Sequence, residues 1–356
     1  MASKLDLSAL TLNPEEARSA SEAVFSKVYS NPLLSDAHFI ATGIQMKTQI
    51  PIFGQLGLMG KVSNGCTPVA NAGTIVASQK YWDPYLSQDR FTHCQADINQ
   101  LFKMWPKSST ALQTWENIDA ALLAFLTERL EAAMINNITR IVWFADKGAL
   151  LVANGGVLKA GTDIAYFTQM DGLWDQIFTA VTAVTIPAAQ KIDIAKNSEA
   201  SYAAQQALDS TTALDVLRGL YNALPAEAFD GTGLKFQITR SLYLNWKDYL
   251  EDKSLVFQLS TAEQGASMDN YRGIPIVVRN DWDRNIRAYE DNGTTWNKPH
   301  RAVLTNIANI PIGTSDEGAF NSFDAFYDKV TMSHYFDTAW YLDAKLLEET
   351  QIAVAY

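Results

Sequence analysis

The 356-residue chain has little of what marks several common classes of protein. It contains two cysteines, Cys66 and Cys94, and only four histidines. Two cysteines cannot supply the disulfide framework of a small secreted domain, and they favour a reducing cytoplasm. The cysteines and histidines show neither C-x-x-C nor H-x₃-H spacing, so the sequence predicts no metal site.

Long apolar runs and clusters of basic residues are also absent. Nowhere do about 18 uninterrupted apolar residues occur, so we predict no membrane-spanning helix, and residues 1–12 lack the apolar core of a signal peptide. The formal net charge is -11, which argues against a protein that binds nucleic acid by neutralising its phosphates. An acidic container that encloses nucleic acid without binding its sequence remains compatible with this charge.

Motifs for catalysis and cofactor binding are weak throughout the chain. Gly54, Gly57 and Gly60 are spaced like a glycine-rich loop, but the Lys-Ser/Thr pair of a phosphate-binding loop does not follow them. The segment 281–292 begins like a calcium loop, yet Ile286 stands where glycine is required, so we interpret 280–300 as a polar, solvated stretch. No Gly-x-Ser-x-Gly elbow is present. The sequence therefore predicts no catalytic residue, no cofactor and no bound metal.

The chain does contain segments whose apolar residues have no neighbouring segment against which to pack. Asn13-Pro14 has the signature of a helix start, and Phe25 and Val28 then fall on one apolar face that ends near Asn31. This helix has nothing nearby on which to bury that face. We therefore expect it to behave as an arm that docks on another domain or subunit.

Glycines interrupt the region from 43 to 73, which predicts an extended hairpin loop rather than an independent core. Its return leg, Lys80 to Phe91, is rich in aromatic residues that would adhere to something outside the loop. A neighbouring subunit is the natural partner. From the arm and the loop we select five candidates for contact between subunits: Phe25, Phe53, Met59, Trp82 and Tyr85.

The remainder predicts a mixture of helices and strands. Apolar residues at helical spacing predict a long helix from Ala111 to Asn137, and the composition of Ile138 to Ala145 favours a strand. A helix ending at Pro225 introduces a second unit, with a strand over 234–239, a helix over 241–250 and strands over 255–259 and 274–278. The strand 302–307 and alternating segments over 330–347 return the chain to the first unit.

Three segments carry a family resemblance: Tyr271 to Val277 (YRGIPIV), Ala302 to Thr305 leading to Ile312-Gly313-Thr314, and Thr350 to Val354. In this order, behind a glycine-rich loop and a long helix, the chain resembles the major capsid protein of tailed bacteriophages over nearly its whole length. The resemblance implies an α+β fold with five parts. These are an N-terminal arm (1–45), an extended loop (46–94), a peripheral domain with a spine helix (95–185), an inserted axial domain (186–300) and a return to the peripheral domain (301–356).

The resemblance also implies a function. Such a subunit assembles in the cytoplasm of a bacterial host, as pentamers and hexamers, into an icosahedral virion shell that encloses double-stranded DNA without enzymatic turnover. Portal, scaffold and decoration proteins would be its further partners. Some relatives join their subunits through a lysine–asparagine bond, for which the candidates are Lys47, Lys61, Lys80, Asn309 and Asn321.

Two alternatives stay open from the sequence. An encapsulin-like compartment shell would share the fold and enclose protein instead of DNA. A cytoplasmic enzyme with an unrecognised site belongs to a different class, and enzymes of this length usually form small oligomers rather than shells.

Overall fold

The computed structural model describes residues 25–44, 46–53, 77–94, 118–253, 270–315, 322–328, 330–331 and 333–356. Residues 25–29 are helical. The further α-helices of these ranges are α1 (Pro32–Ser35), α2 (Ile118–Phe144), α3 (Leu173–Thr182), α4 (Tyr202–Gln206), α5 (Thr212–Ala223), α6 (Arg240–Asp252) and α7 (Asn280–Tyr289). None of these helices combines the length and hydropathy needed to cross a bilayer.

The strands are β1 (Ile40–Ala41), β2 (Thr48–Phe53), β3 (Ala77–Trp82), β4 (Tyr85–Cys94), β5 (Lys191–Ile192), β6 (Leu234–Thr239), β7 (Asn270–Tyr271), β8 (Ile274–Arg279), β9 (Ala302–Asn306), β10 (Ile312–Thr314), β11 (Ser322–Asp328), β12 (Ser333–Ala344) and β13 (Ile352–Ala355). They form a two-stranded hairpin, a five-stranded sheet and a six-stranded sheet. The predicted α+β class is therefore confirmed.

Helix α2 runs for 27 residues, which at 1.5 Å per residue is about 40 Å. The long helix was predicted, but the strand expected from Ile138 to Ala145 is wrong, because the helix continues to Phe144. Ile138 and Val142 are fully buried. Packing against the core therefore outweighs the weak helix propensity of β-branched residues at these positions.

The hairpin and the five-stranded sheet are built around β12. Strands β2 and β3 pair in antiparallel register, as the loop prediction required, with Thr48 opposite Trp82. Strand β4 then pairs along β12 from Tyr85 opposite Leu342 to Cys94 opposite Ser333. On its other edge β12 pairs with β11 and then with β10, and β1 pairs with β10. The return leg of the loop is thus joined to the last third of the chain by a ten-residue ladder.

Gly313 in β10 lies directly beneath the indole of Trp82. A Cβ atom at this position would lie 2.8 Å from two carbons of the Trp82 ring, which is itself 6% exposed. Because an indole cannot bend away, we expect Gly313→Ala to cost about 1–3 kcal/mol of unfolding free energy, measured by urea denaturation. Gly148→Ala is the control, since there the new Cβ would meet only one side-chain oxygen, at 3.2 Å. An equal effect of the two changes would contradict the packing described.

The six-stranded sheet has the order β5-β13-β9-β6-β8-β7, and its middle strands are shared between two hydrophobic cores. Val303 and Val354 face the core that contains helix α2. Their neighbours Leu304 and Ala353 face a second core, built with α5 and α6. Alternate residues of one strand point to opposite faces, so this sheet is a wall between the two cores.

The elements predicted for the second unit are confirmed where the structure describes them: α5, β6, α6 and β8 match the expected segments within a few residues. The strand predicted over 255–259 lies outside the described residues. Strands β9 and β13, which we assigned to the return segment 301–356, lie in the sheet of the second unit. The two units are therefore joined through a shared sheet, and the division at residue 300 stays a prediction.

The interpretation of 280–300 as a solvated polar stretch is wrong over its first half. Residues 280–289 form helix α7, whose Trp282 and Ile286 are 0% and 1% exposed. Asp281 is equally buried, because it forms an ion pair with Arg279. The polarity of the segment led to the wrong prediction that it is solvated, since a charged residue can lie in a core when its partner lies there too.

Candidate assembly surfaces

The hairpin and strand β4 together carry four exposed aromatic and apolar side chains. Tyr81 is 40% exposed, Tyr85 48%, Leu86 40% and Phe91 36%. Along β4, Tyr85 and Phe91 lie on the same face as Ser87, which is only 5% exposed, and Leu86 lies on the opposite face. A surface of this composition is typical of a protein–protein contact. We call these four residues the hairpin surface.

The five contact candidates from the sequence fall into different places. Tyr85 lies in the hairpin surface. Phe53 lies in β2 opposite Ala77, and the structure describes its backbone only; Met59 lies outside the described residues. Phe25 and Trp82 are 0% and 6% exposed within one chain. For these last two we withdraw the assignment to a subunit interface, because their own chain already buries them.

The end of the predicted arm docks on its own chain, which is one of the two kinds of partner expected for it. Phe25, Val28 and Tyr29 join the core that contains helix α2. Lys27 Nζ lies 3.0 Å from Glu131 Oε1, and Thr314 Oγ1 donates to Tyr29 OH at 2.9 Å. The sequence showed the apolar face correctly but not its partner, because that partner is a helix more than 100 residues away in the chain.

A buried polar cluster fastens the segment after the arm to three other elements. The pKa of His38 is lowered to about 3 by burial and then by the positive charge of Arg279. His38 is therefore neutral: its Nδ1 donates to Ile310 O at 2.9 Å, and its Nε2 accepts from Trp143 Nε1 at 3.0 Å. Gln237 Nε2 also donates to Ala37 O at 2.9 Å. These bonds fix residues 37 and 38 between α2 and the six-stranded sheet.

The tip of the six-stranded sheet is a two-residue hairpin turn. Tyr271 pairs with Ile274 across it, and the two turn residues, Arg272 and Gly273, have φ of 50° and 82°. Positive φ at both positions is the geometry of a type I′ turn, which glycine favours. The exposed Arg272 guanidinium lies 4.7 Å from the ring centroid of Tyr221. The YRGIPIV segment of the sequence thus forms a tight turn with an exposed cation at its tip.

One pair has the atoms of a nucleophile and a base. Ser241 Oγ lies 2.7 Å from His300 Nδ1, while His300 Nε2 lies 2.7 Å from Gln205 O. An acyl-transfer site also needs free donors for the developing oxyanion. The amide at the start of α6 is instead bound by Asp283, with Arg240 N 2.6 Å from Asp283 Oδ2. This arrangement accounts for the pair as a structural link between α6 and the segment 290–300.

Three carboxylates meet where α2 ends and α3 begins. Ligand-type oxygens of Asp146, Asp171 and Asp175 lie within 4.8 Å of one another. Burial, followed by the charges of Asp146 and Asp171, raises the pKa of Asp175 to about 6. Asp175 resists ionisation because burial disfavours its charged form and the two neighbouring carboxylates add repulsion.

This raised pKa predicts how stability changes with pH. An acid with a pKa above its unfolded value of 3.8 contributes stability below about pH 4 that is lost as the pH rises through 6. Asp175→Asn is therefore expected to raise the unfolding free energy at pH 8 by about 1 kcal/mol, after allowance for solvent screening, and to change it little at pH 4. Denaturant titrations at the two pH values measure this; Asp163→Asn, outside the cluster, is the control. Equal effects of Asp175→Asn at both pH values would contradict it.

The candidates for a lysine–asparagine bond are already engaged within the chain where the structure describes them. Lys80 Nζ lies 2.7 Å from Glu349 Oε1, and Asn309 Nδ2 donates to Glu348 O at 2.9 Å. Lys47 lies over the ring of Tyr81, at 5.4 Å from the centroid. Lys61 and Asn321 lie outside the described residues. The hypothesis stays open, and a denaturing gel of assembled protein would test it by bands above the monomer.

Comparison with known proteins gives a fold but no sequence relative. No family model and no curated protein matches the sequence. A chain in the structure of the satellite phage P4 procapsid including size determination (Sid) protein has 9% identity and a TM-score of 0.53, covering 94% of this chain and 98% of that one. This chain has a phage capsid fold. A chain of the cyanophage A-1(L) capsid asymmetric unit agrees, with 13% identity, a TM-score of 0.50 and 91% of each chain covered.

The capsid fold confirms the prediction drawn from the order of segments, because the similarity extends over nearly all of both chains. In this fold the hairpin surface and the sheet tip lie on different elements. The sequence indicated the hairpin surface through its aromatic residues. It did not indicate the buried cluster around His38, because the polar residues of that cluster are far apart along the chain and none lies in a recognisable motif.

Proposed function

We propose that this protein is the major capsid protein of a tailed phage, which assembles as pentamers and hexamers into an icosahedral shell that encloses double-stranded DNA. The observation that carries the proposal is the phage capsid fold over more than nine-tenths of the chain. The proposed location of the protein is the virion capsid, and its subunits assemble in the bacterial cytoplasm. We propose five parts for the subunit: the arm (1–45), the extended loop (46–94), the peripheral domain (95–185), the axial domain (186–300) and the return to the peripheral domain (301–356).

The hairpin surface supports the assembly step. Tyr81, Tyr85 and Phe91 leave apolar area exposed on a hairpin and an adjoining strand, and tyrosine and phenylalanine are enriched where subunits meet. A specific interface typically buries about 1,600 Å² in total. An extended hairpin that lies across a neighbouring copy supplies such an area without a large core of its own.

The charge supports enclosure rather than binding of DNA. With a net charge of -11, the subunit repels phosphate overall, and a lining of that kind keeps packaged DNA free to move. The Ser241–His300 pair has a structural role in this proposal, since it links α6 to the segment 290–300 beside the bond from Arg240 N to Asp283. The phage capsid fold is also the basis on which we propose portal, scaffold and decoration proteins as further partners.

Electron microscopy tests this proposal directly. The protein is expressed alone, purified and examined in negative stain under conditions that permit assembly. We expect closed shells or ring-shaped capsomers. Uniform small particles at all concentrations and ionic strengths, from a protein that is folded by circular dichroism, would contradict the role as a shell subunit.

A further inference from the structure

Two of the four histidines of the chain lie opposite each other in the five-stranded sheet. His93 in β4 pairs with His334 in β12, although more than 200 residues separate them in the sequence. Residues directly opposite in an antiparallel pair share one face of the sheet, and their Cβ atoms lie about 4.5–5.5 Å apart. The spacing of histidines along the chain predicted no metal site, whereas the pairing of these strands brings two imidazole-bearing positions together.

The other two histidines are already used within the fold. Both ring nitrogens of His38 and of His300 make hydrogen bonds, and both residues are only 2% exposed. A metal ion needs the lone pair of a neutral imidazole nitrogen. A dissolved ion that binds histidine on this chain would therefore have to use His93 and His334.

The face of the sheet that carries the pair becomes more exposed toward that end. Ser87 and the residue opposite it, Trp340, lie on the same face and are 5% and 4% exposed. Phe91, two positions before His93 on that face, is 36% exposed. The sheet thus leaves the core between Ser87 and Phe91, and the histidines lie beyond that point.

On this face, the last two rows of residues across the described strands β4, β12 and β11 contain no lysine or arginine. The row of the two histidines continues to Tyr327 of β11, and the row before it contains Phe91, Phe336 and Ala325. Neither row has a fixed positive charge that would repel a cation. The formal net charge of -11 favours the approach of cations to the protein as a whole.

We propose that one Zn²⁺ ion binds between His93 and His334, across strands β4 and β12. Zinc takes imidazole nitrogens at about 2.0–2.1 Å, so two nitrogens on one ion lie at most roughly 4 Å apart, which directly opposite positions allow. Water completes the coordination. The ion joins the return leg of the loop to the last third of the chain at the end of their ladder. The inference does not depend on the shell function, because dissociated subunits test it.

Calorimetric titration of the purified subunit with zinc chloride tests the proposal, and we expect one ion per chain. Loss of a group that only supports a metal ligand commonly lowers affinity by about 10–100-fold. His93→Gln and His334→Gln should therefore each weaken binding by at least about tenfold. Because one ion uses both residues, the double variant should lose little more than either single variant. Two independent sites would instead each persist in the other's variant.

A control variant and a second measurement separate this site from other sites and from misfolding. Asp175→Asn changes the three carboxylates where α2 ends and α3 begins, and it should leave the zinc affinity unchanged. Labelling of the wild-type protein with diethyl pyrocarbonate, read by mass spectrometry, requires no variant. Zinc should protect His93 and His334 together, with one midpoint concentration.

Melting curves in the presence of a chelator show whether each variant is folded, and added zinc should raise the Tm of the wild type but not of the double variant. Four results would overturn the proposal: no binding of zinc, undiminished binding by the folded double variant, loss of binding in Asp175→Asn, or protection of the two histidines at different zinc concentrations.

Discussion

Replacement of Arg279 by methionine is expected to lower the unfolding free energy by about 3–5 kcal/mol, because it leaves a buried carboxylate without its partner. Arg279 and Asp281 are 0% and 1% exposed, and they form two parallel hydrogen bonds, Nε to Oδ1 at 3.0 Å and Nη2 to Oδ2 at 2.7 Å. Arg279 Nη1 also donates to Gln237 Oε1 at 3.2 Å. Chemical denaturation of purified protein at pH 7 measures the loss.

Two further variants show whether the lost charge is the cause. Arg284→Met removes an exposed arginine from helix α7, which follows Arg279, with a single bond to Asn136 Oδ1 at 2.7 Å, and should cost about 0.5 kcal/mol or less. The double change Arg279→Met with Asp281→Leu removes both charges and should be more stable than the single change. An Arg279→Met protein as stable as the Arg284→Met control would show that the ion pair contributes little.

The ion pair also explains why residues 280–289 were wrongly predicted to be a solvated stretch. Asp281, Asp283 and Arg284 made the segment look like a solvated loop. A helix with this polarity becomes stable in a core only because Arg279, which precedes it at the end of β8, supplies the matching charge. Such a pairing depends on tertiary structure, so no periodicity in the segment could reveal it.

Other elements were predictable because their signals are local. The helix α5 ends at Ala223, just before Pro225, as the missing amide of proline requires. Strand β6 covers Leu234–Thr239, the predicted segment. By contrast, the C-terminal half of α2 has β-branched residues whose helical state is decided by packing against the core. Local signals thus fix where elements end, whereas long-range contacts decide the state of ambiguous segments.

The contact surface was predictable only in part, because long-range contacts decide which of its aromatic residues are exposed. Tyr85 and Trp82 are both aromatic residues of the return leg, yet one is 48% exposed and the other 6%. The difference arises from Gly313, more than 200 residues later, which leaves room for the Trp82 ring but not for a side chain of its own. Aromatic content alone therefore identifies a segment suited to protein–protein contact, but it does not show which aromatic rings face the solvent.

Tyr85→Ser is expected to raise the protein concentration needed for assembly by at least about 30-fold. A tyrosine buried at the centre of an interface commonly contributes about 2 kcal/mol or more, and 2 kcal/mol corresponds to roughly a 30-fold change in an association constant. The change should have little effect on the subunit itself, because half of this side chain contacts solvent in the single chain. Light scattering against protein concentration measures assembly, and a melting curve of the dissociated subunit checks the fold.

Tyr166 provides a matched control for this experiment, since it is also 48% exposed but lies outside the hairpin surface. Tyr166→Ser removes the same chemical group and the same exposed area, so any general effect on solubility appears in both variants. If only Tyr85→Ser prevents assembly while both subunits melt like the wild type, the hairpin surface is where neighbouring copies meet. If the two variants assemble alike, exposure of an aromatic ring on this hairpin does not define the interface, and the sheet tip at Arg272 becomes the next surface to change.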